Sequence, residues 1–234
     1  MYNVKFDWSR PRTITRVGEV EARTRNPRGE GERLRGALLE VATELLAEVG
    51  DVERLSVRAV TRRAGVSPTA LYLHFADKDA LVAAIKARCF TALRDRLEAA
   101  RDAHPDDPWD ALRAMGAAYL GFARERPGWY GVCFQVEYHR ELVDEAWDAH
   151  PTAQVGMAVF GVLVAQVARA AELDGQEAFD RATVLWAALH GRASVLLAMP
   201  GFPMAEEERW IGLLADGWAA ADGSSDAGDA AATD

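Results

Sequence analysis

Cysteine is nearly absent from this chain of 234 residues, which holds only Cys89 and Cys133. The two are far apart in sequence, form no CxxC pair and have no histidine at zinc-ligand spacing, which argues against a structural metal or a redox motif. Two buried, reduced thiols are expected. Long apolar runs are missing too: the longest uninterrupted one, Val155 to Ala165, is eleven residues, whereas a bilayer span takes roughly 20. The opening MYNVKFDWSR has no apolar stretch that could serve as a signal peptide. A cytoplasmic protein with no membrane partner is the expectation. Catalytic signatures are equally lacking, with no HExxH, GxSxG, P-loop or dinucleotide fingerprint and no paired carboxylates in an acid–base setting. The lone GxG in GEGERLRG precedes a helix without following a strand. The chain is therefore not expected to be an enzyme, and no cofactor or metal is expected.

Glycine and proline are sparse outside the two ends, while Ala, Leu, Glu and Arg fill the interior at little entropic cost to a helix. The expected fold class is all-α. Half of the residues are apolar, enough to bury a full core in one compact helical unit or two small domains.

The formal net charge is −9, which by itself speaks against a polyanionic partner, but the charge is unevenly placed. Residues 1–100 hold 18 Lys and Arg against 14 Asp and Glu, and residues 101–234 hold 9 against 22. Such a split suggests one end that faces nucleic acid and one that solubilises. Ordinary scatter of surface charge is the alternative.

Residues 1–31 mix six arginines between positions 10 and 28 with Pro and Gly and show no sustained apolar period, so they form a basic arm expected to be mobile. The arm either enters a DNA minor groove or is a solvated tail. A polar, small-residue tail over 221–234 is expected to be disordered.

Between these ends, Leu34, Leu38, Val41, Ala42, Leu45 and Val49 recur at steps of three and four, predicting a helix over Glu32–Val49 that Gly50 terminates. Ser56 stands where an N-cap belongs, and Val57, Val60 and Ala64 then mark a short second helix ending at Gly65. The third helix carries three start signals: Ser67 as cap, Pro68 in the first helical position, and Val66 set to pack on Leu71. Leu71 and Phe75 share a buried face, which leaves Thr69, Tyr72, Leu73 and His74 toward the outside. Asp77 caps a fourth helix whose apolar stripe is Leu81, Ile85, Cys89 and Leu93.

Two short helices joined by a Gly-containing turn, the second opening with small polar residues, are the sequence form of a DNA-binding helix-turn-helix. From Arg54 to Phe75 there are four arginines and no carboxylate, unusual restraint in an acidic chain. The stretch LSVRAVTRRAGVSPTALYLHFADKDAL resembles the TetR/AcrR family, with its capped short helix, Ala-Gly-Val turn, Tyr-x-x-Phe recognition helix and following Lys. The resemblance covers about residues 32–93. It implies a homodimer on a near-palindromic double-stranded operator, usually as a repressor released by a small-molecule effector. Carried over by position, it puts Arg58, Ser67, Pro68, Thr69, Tyr72, Leu73 and His74 at the DNA interface and Lys78 on a phosphate. Tyr72 could instead cover the core edge, Lys78 could be a solvated charge, and His74 an ordinary surface histidine.

Past Pro108, helices are predicted over Trp109–Arg126, Gly128–Tyr138, Glu141–Ala149, Thr152–Leu173, Gln176–Met199 and Met204–Trp218, with breaks at Pro127, Pro151, Gly175 and Pro200. LWAALHGRASVLLAMPGF, through Trp186, His190 and Gly191, and RPGWYGVCF resemble the tryptophan-histidine-glycine C-terminal domain of part of the same family. The organisation expected is a helix-turn-helix domain over 32–93 and a helical ligand-binding and dimerisation domain over 94–220. The helix with Gly156, Phe160, Val164 and Val167 and the next, with Phe179, Trp186, Ala193 and Leu197, are assigned by the resemblance to a four-helix dimer interface, with an intramolecular core as the alternative. Phe122, Trp129, Phe134, Tyr138, Phe160, Trp186 and His190 are the candidates for lining an apolar effector cavity, or else simply core. The presence of an enclosed cavity separates a ligand-responsive regulator from an architectural DNA binder.

Overall fold

The computed structural model describes residues 30–134, 151–215 and 217. Tyr138, the helix expected over Glu141–Ala149, the arm up to residue 29 and the tail over 221–234 lie outside the described residues. Eight helices have defined bounds: α1 (Glu30–Val49), α2 (Val57–Ala64), α3 (Pro68–Tyr72), α4 (Lys78–Asp102), α5 (Pro108–Glu125), α6 (Pro127–Phe134), α7 (Pro151–Ala170) and α8 (Gly175–Ala198). A further helix, α9, covers 207–215, and no β-strand occurs among the described residues. The fold is all-α.

The first four helices form where the caps predict them. Ser67 accepts the Ala70 N–H at 3.3 Å and Asp77 accepts the Ala80 N–H at 2.7 Å, each satisfying a backbone donor that its helix leaves free. Ser56 differs. Its backbone is extended as a cap requires, but its side chain makes no capping bond, and α2 begins on the Ser56 carbonyl alone. Gly65 closes α2 in the left-handed region at φ 71°. Its N–H bonds to the Arg62 carbonyl and the next N–H, of Val66, to that of Thr61, a double closure that turns the chain sharply into α3.

Leu81, Ile85, Cys89 and Leu93 are wholly buried along α4, which runs unbroken through the expected domain boundary at residue 93 to Asp102. A single apolar cluster therefore joins Leu38, Leu46 and Leu71 at one end to Tyr119, Leu163 and Leu189 at the other, with α4 as the shared strut. Helix α4 packs on α5, α6 and α7, and α6 reaches back to α1.

Pro151 begins α7 one residue before the expected Thr152, because the first turn has no use for the N–H that proline lacks. The segment Ala153–Ala170 of α7 is long and apolar enough to span a membrane by length and composition, although its longest unbroken apolar run is shorter. Here it is an element of the folded core: Gln166, 2% exposed, donates to the Pro108 carbonyl at 2.6 Å, and Arg169 donates to that of Pro105. The residues assigned to a dimer interface are for the most part half-buried within the single chain. Val167 and Ala193 are buried, Gly156 lies over Phe90, and Phe160 meets Phe179 and Trp186 edge to face.

Candidate nucleic-acid interface and core cavity

The surface of α2, the Gly65 turn and α3 presents the residues that the sequence singled out. Arg58, Ser67, Pro68, Thr69, Tyr72 and Leu73 are all exposed. Leu73, an apolar side chain, is 79% exposed and Tyr72 52% exposed, while Leu71 between them and the start of the helix is wholly buried. A five-residue helix that buries one leucine and turns its tyrosine outward is shaped by something other than core packing. His74 stands apart, half-buried with its ring close to Gly31 of α1. Lys78, half-buried at the first position of α4, points its ammonium at the Glu53 carbonyl 3.4 Å away. That weak bond leaves donor capacity at a helix start where an anion would be stabilised. Arg54, Arg58 and Arg62 are exposed on the same segment, and Arg63 is held by Glu48 at 2.8 Å.

A second feature lies in the core between α4, α5, α7 and α8. Twelve of the described residues line a small apolar cavity of about 40 Å³, among them Phe90, Tyr119, Phe134, Phe160 and Trp186. Three of the aromatics expected there, Phe134, Phe160 and Trp186, do line it. His190 joins them from behind, stacked on Trp186 with ring centroids 5.1 Å apart and edge-on to Phe134 at 5.0 Å. Phe122 is buried elsewhere in the core. Trp129 faces an open groove beside α1, between Arg88 and Arg126, with its indole N–H on Glu44 at 3.2 Å. Gly191, though part of the same motif as Trp186 and His190, is exposed and touches none of this.

Two residues in this cluster escaped the sequence reading. The hydroxyls of Tyr119 and Tyr130 lie 3.2 Å and 2.8 Å from the same nitrogen, Nδ1 of His190. Tyr130 also reaches the His190 carbonyl and Ser194 Oγ, and Tyr119 takes a hydrogen bond from the Trp186 indole. Burial raises the pKa of both phenols and lowers that of His190, so the cluster is neutral at physiological pH. The available signal was the placement of two tyrosines at otherwise apolar positions of α5 and α6, since a buried hydroxyl needs a partner.

Residues 38–85 match the family described as bacterial regulatory proteins, tetR family, and residues 112–211 match the Tetracyclin repressor-like C-terminal domain. The class C tetracycline repressor of Escherichia coli is 30% identical over 200 residues, covering 78% of this chain and 89% of that protein. The chain belongs to the TetR family. Among solved structures, a Rhodococcus sp. RHA1 protein of unknown function superposes with a TM-score of 0.63 at 27% identity, over 79% of this chain and 93% of its own. The FadR regulator of Bacillus subtilis, solved with stearoyl-CoA, also gives 0.63 over 78% and 96% of the two chains, but at 10% identity it shares the fold alone.

This TetR-family protein is thus a DNA-binding transcriptional regulator and not an enzyme. The helix-turn-helix lies within the N-terminal match, and the cavity and its tyrosine–histidine cluster fall largely within the C-terminal one.

Proposed function

We propose that this regulator is a homodimeric repressor that binds a near-palindromic operator through α3 and leaves it when a small molecule occupies the α4–α5–α7–α8 cavity. The small apolar cavity is the observation that favours this reading over a ligand-independent architectural role. On this reading residues 32–93 bind DNA and residues 94–220 hold effector and partner, in the cytoplasm where the operator is. Arg58 reads a guanine edge, Ser67, Pro68, Thr69, Tyr72, Leu73 and His74 meet bases or backbone, and Lys78 holds a phosphate.

The dimer contact extends the α7–α8 stripe suggested by the sequence. Val184 on α8, Met199 and Phe202 beyond it, and Leu213 on α9 are each 45% exposed or more, an apolar surface suited to a partner of the same kind. Release then requires a dimer state whose two α3 helices are no longer spaced by about 34 Å, one turn of DNA. Emptying a nearly full operator needs a ligand preference of about 10⁴ for that state.

Selection of DNA from a random pool by the purified protein tests the reading, followed by titration of the winning sequence with wild type and Tyr72→Ala. A palindromic winner that the variant binds poorly is expected, whereas no enrichment sinks it. Lys78→Ala should weaken binding to all sequences alike and flatten the log–log salt slope by about 0.9.

A further inference from the structure

Where the described chain begins is fixed by two contacts at the end of α3. A Cβ on Gly31 would stand 3.9 Å from His74 Cε1, and the Arg35 guanidinium lies over the Phe75 ring, 5.2 Å from its centroid. His74 and Phe75 directly follow Tyr72 and Leu73, the two side chains that α3 and its cap turn outward. The first turns of α1 therefore lie beside the far end of α3, and the residues before Glu30 set out from the edge of the surface that α3 presents.

Those residues carry the charge that such a position calls for. Ala22 to Gly29 hold Arg23, Arg25 and Arg28 and no carboxylate, in a chain whose Asp and Glu outnumber its Lys and Arg by 36 to 27. Arg28, Arg25 and Arg23 stand two, five and seven residues before Glu30, so an extended chain carries them out to roughly 7, 17 and 24 Å. One turn of DNA is about 34 Å, so the minor groove next to the major-groove segment that α3 occupies lies about 17 Å along the duplex. The reach matches that distance. Arg23 and Arg25, two apart, also point to the same side of an extended chain.

Resting on the reading of α3 as the helix that binds the operator, we infer that Arg23, Arg25 and Arg28 occupy the minor groove beside it, and that the operator is recognised there by its A·T content. In A·T-rich DNA the minor groove is narrow and its negative potential is enhanced, which favours guanidinium groups inserted into it. Arginine brings donors only, and the edges of A·T pairs offer it acceptors. A G·C pair sets its N2 amino group, itself a donor, into the same groove. A carboxylate in this segment would be repelled by the phosphates on both walls, and Ala22 to Gly29 hold none. The segment thus adds specificity at base pairs next to those that α3 reads.

Titration of the full-length protein on the operator won from the random pool tests this, with the base pairs flanking each half-site made A·T, G·C or I·C. An inosine–cytosine pair lacks the amino group, so it shows the protein the minor-groove face of A·T and the major-groove face of G·C. Wild type should bind the A·T and I·C flanks alike and about tenfold more tightly than the G·C flank, within the usual worth of one base pair. The triple variant Arg23→Ala, Arg25→Ala, Arg28→Ala should bind all three flanks equally while still preferring the operator to scrambled DNA, which also shows that it is folded. Equal binding of the A·T and G·C flanks by wild type overturns the inference. So does an I·C flank bound as weakly as G·C, which places the reading in the major groove, or a triple variant that keeps the preference. A pool that yields no operator refutes the α3 reading, and the role of the arm with it.

Discussion

Gly128 of α6 sits so close to Ala47 of α1 that a methyl group in its place would lie 2.7 Å from the Ala47 Cβ and 2.8 Å from the Ala47 carbonyl oxygen. Neither atom belongs to a flexible side-chain end, so the two helices must part to admit it. Gly128→Ala should cost about 1–3 kcal/mol in urea unfolding, the usual penalty for overpacking. Adding Ala47→Gly should restore only part of that, since the carbonyl remains. A variant as stable as wild type would show that α6 docks more loosely on α1 than this contact implies.

Gly65 is a glycine for a different reason. Nothing lies within 4 Å of the position its Cβ would take, and its φ is 71°. Only backbone strain opposes a side chain there, so Gly65→Ala should lose about 1 kcal/mol and Gly65→Asn, which tolerates the left-handed region, less. Chemical denaturation of both variants checks the order; Asn as costly as Ala would mean crowding after all.

The two phenols on His190 make a shared prediction. Tyr130→Phe leaves Nδ1 to Tyr119, and Tyr119→Phe leaves it to Tyr130, so each single change should cost about 0.5–1.5 kcal/mol. Together they strip the nitrogen of both partners, and the double variant should lose at least about 0.5 kcal/mol more than the sum. Strict additivity across the cycle would indicate that the hydroxyls do not share that nitrogen.

Lys86 is buried among Cys89 and Cys133, and burial pushes its pKa down to about 8. Between that value and its ordinary 10.5 the unfolded chain holds a proton the folded one lacks, so stability rises with pH. Cys133 works in the opposite sense, because burial raises its pKa and the folded chain keeps a proton that the unfolded one gives up above about 9. The Lys86 gain should thus stand clear between about pH 8 and 9, at about 1 kcal/mol. Lys86→Met should remove that rise when the two proteins are unfolded in parallel across the range; identical slopes would place the ammonium in contact with water.

Both cysteines are reduced and at most 4% exposed, and the proximity of Cys133 to Cys89 makes their neighbourhood thiol-rich without a bond. Neither should react with a chromogenic aromatic disulfide in the native protein over minutes, and both should after unfolding. Reaction of either before unfolding contradicts their burial.

Local chemistry made much of this legible. The Ser67–Pro68 start, the Asp77 cap, the Gly65 stop and the α4 stripe depend on neighbours within a few residues, and the structure places them as read. Ser56 occupies the N-cap position as read but makes no side-chain capping bond, because the serine hydroxyl has alternatives that the sequence does not rank. Of the cavity, Phe134, Phe160 and Trp186 could be named as aromatics at helical spacing, but Phe122 and Trp129 had the same credentials and face elsewhere. The azimuth of a side chain around its helix is periodic, whereas the helix it meets is a matter of how whole helices cross.

By itself, then, the sequence determined the helical class, the helix-turn-helix with its outward Tyr72, and the family, all carried by residues near one another in the chain. Only tertiary structure decided that Tyr119 and Tyr130 converge on a histidine 71 and 60 residues away, that Cys89 and Cys133 meet, and that Phe160 and Trp186 line one cavity. Those outcomes depend on packing α4, α5, α6, α7 and α8 into one volume, where each contact is chosen by the shape of all the others.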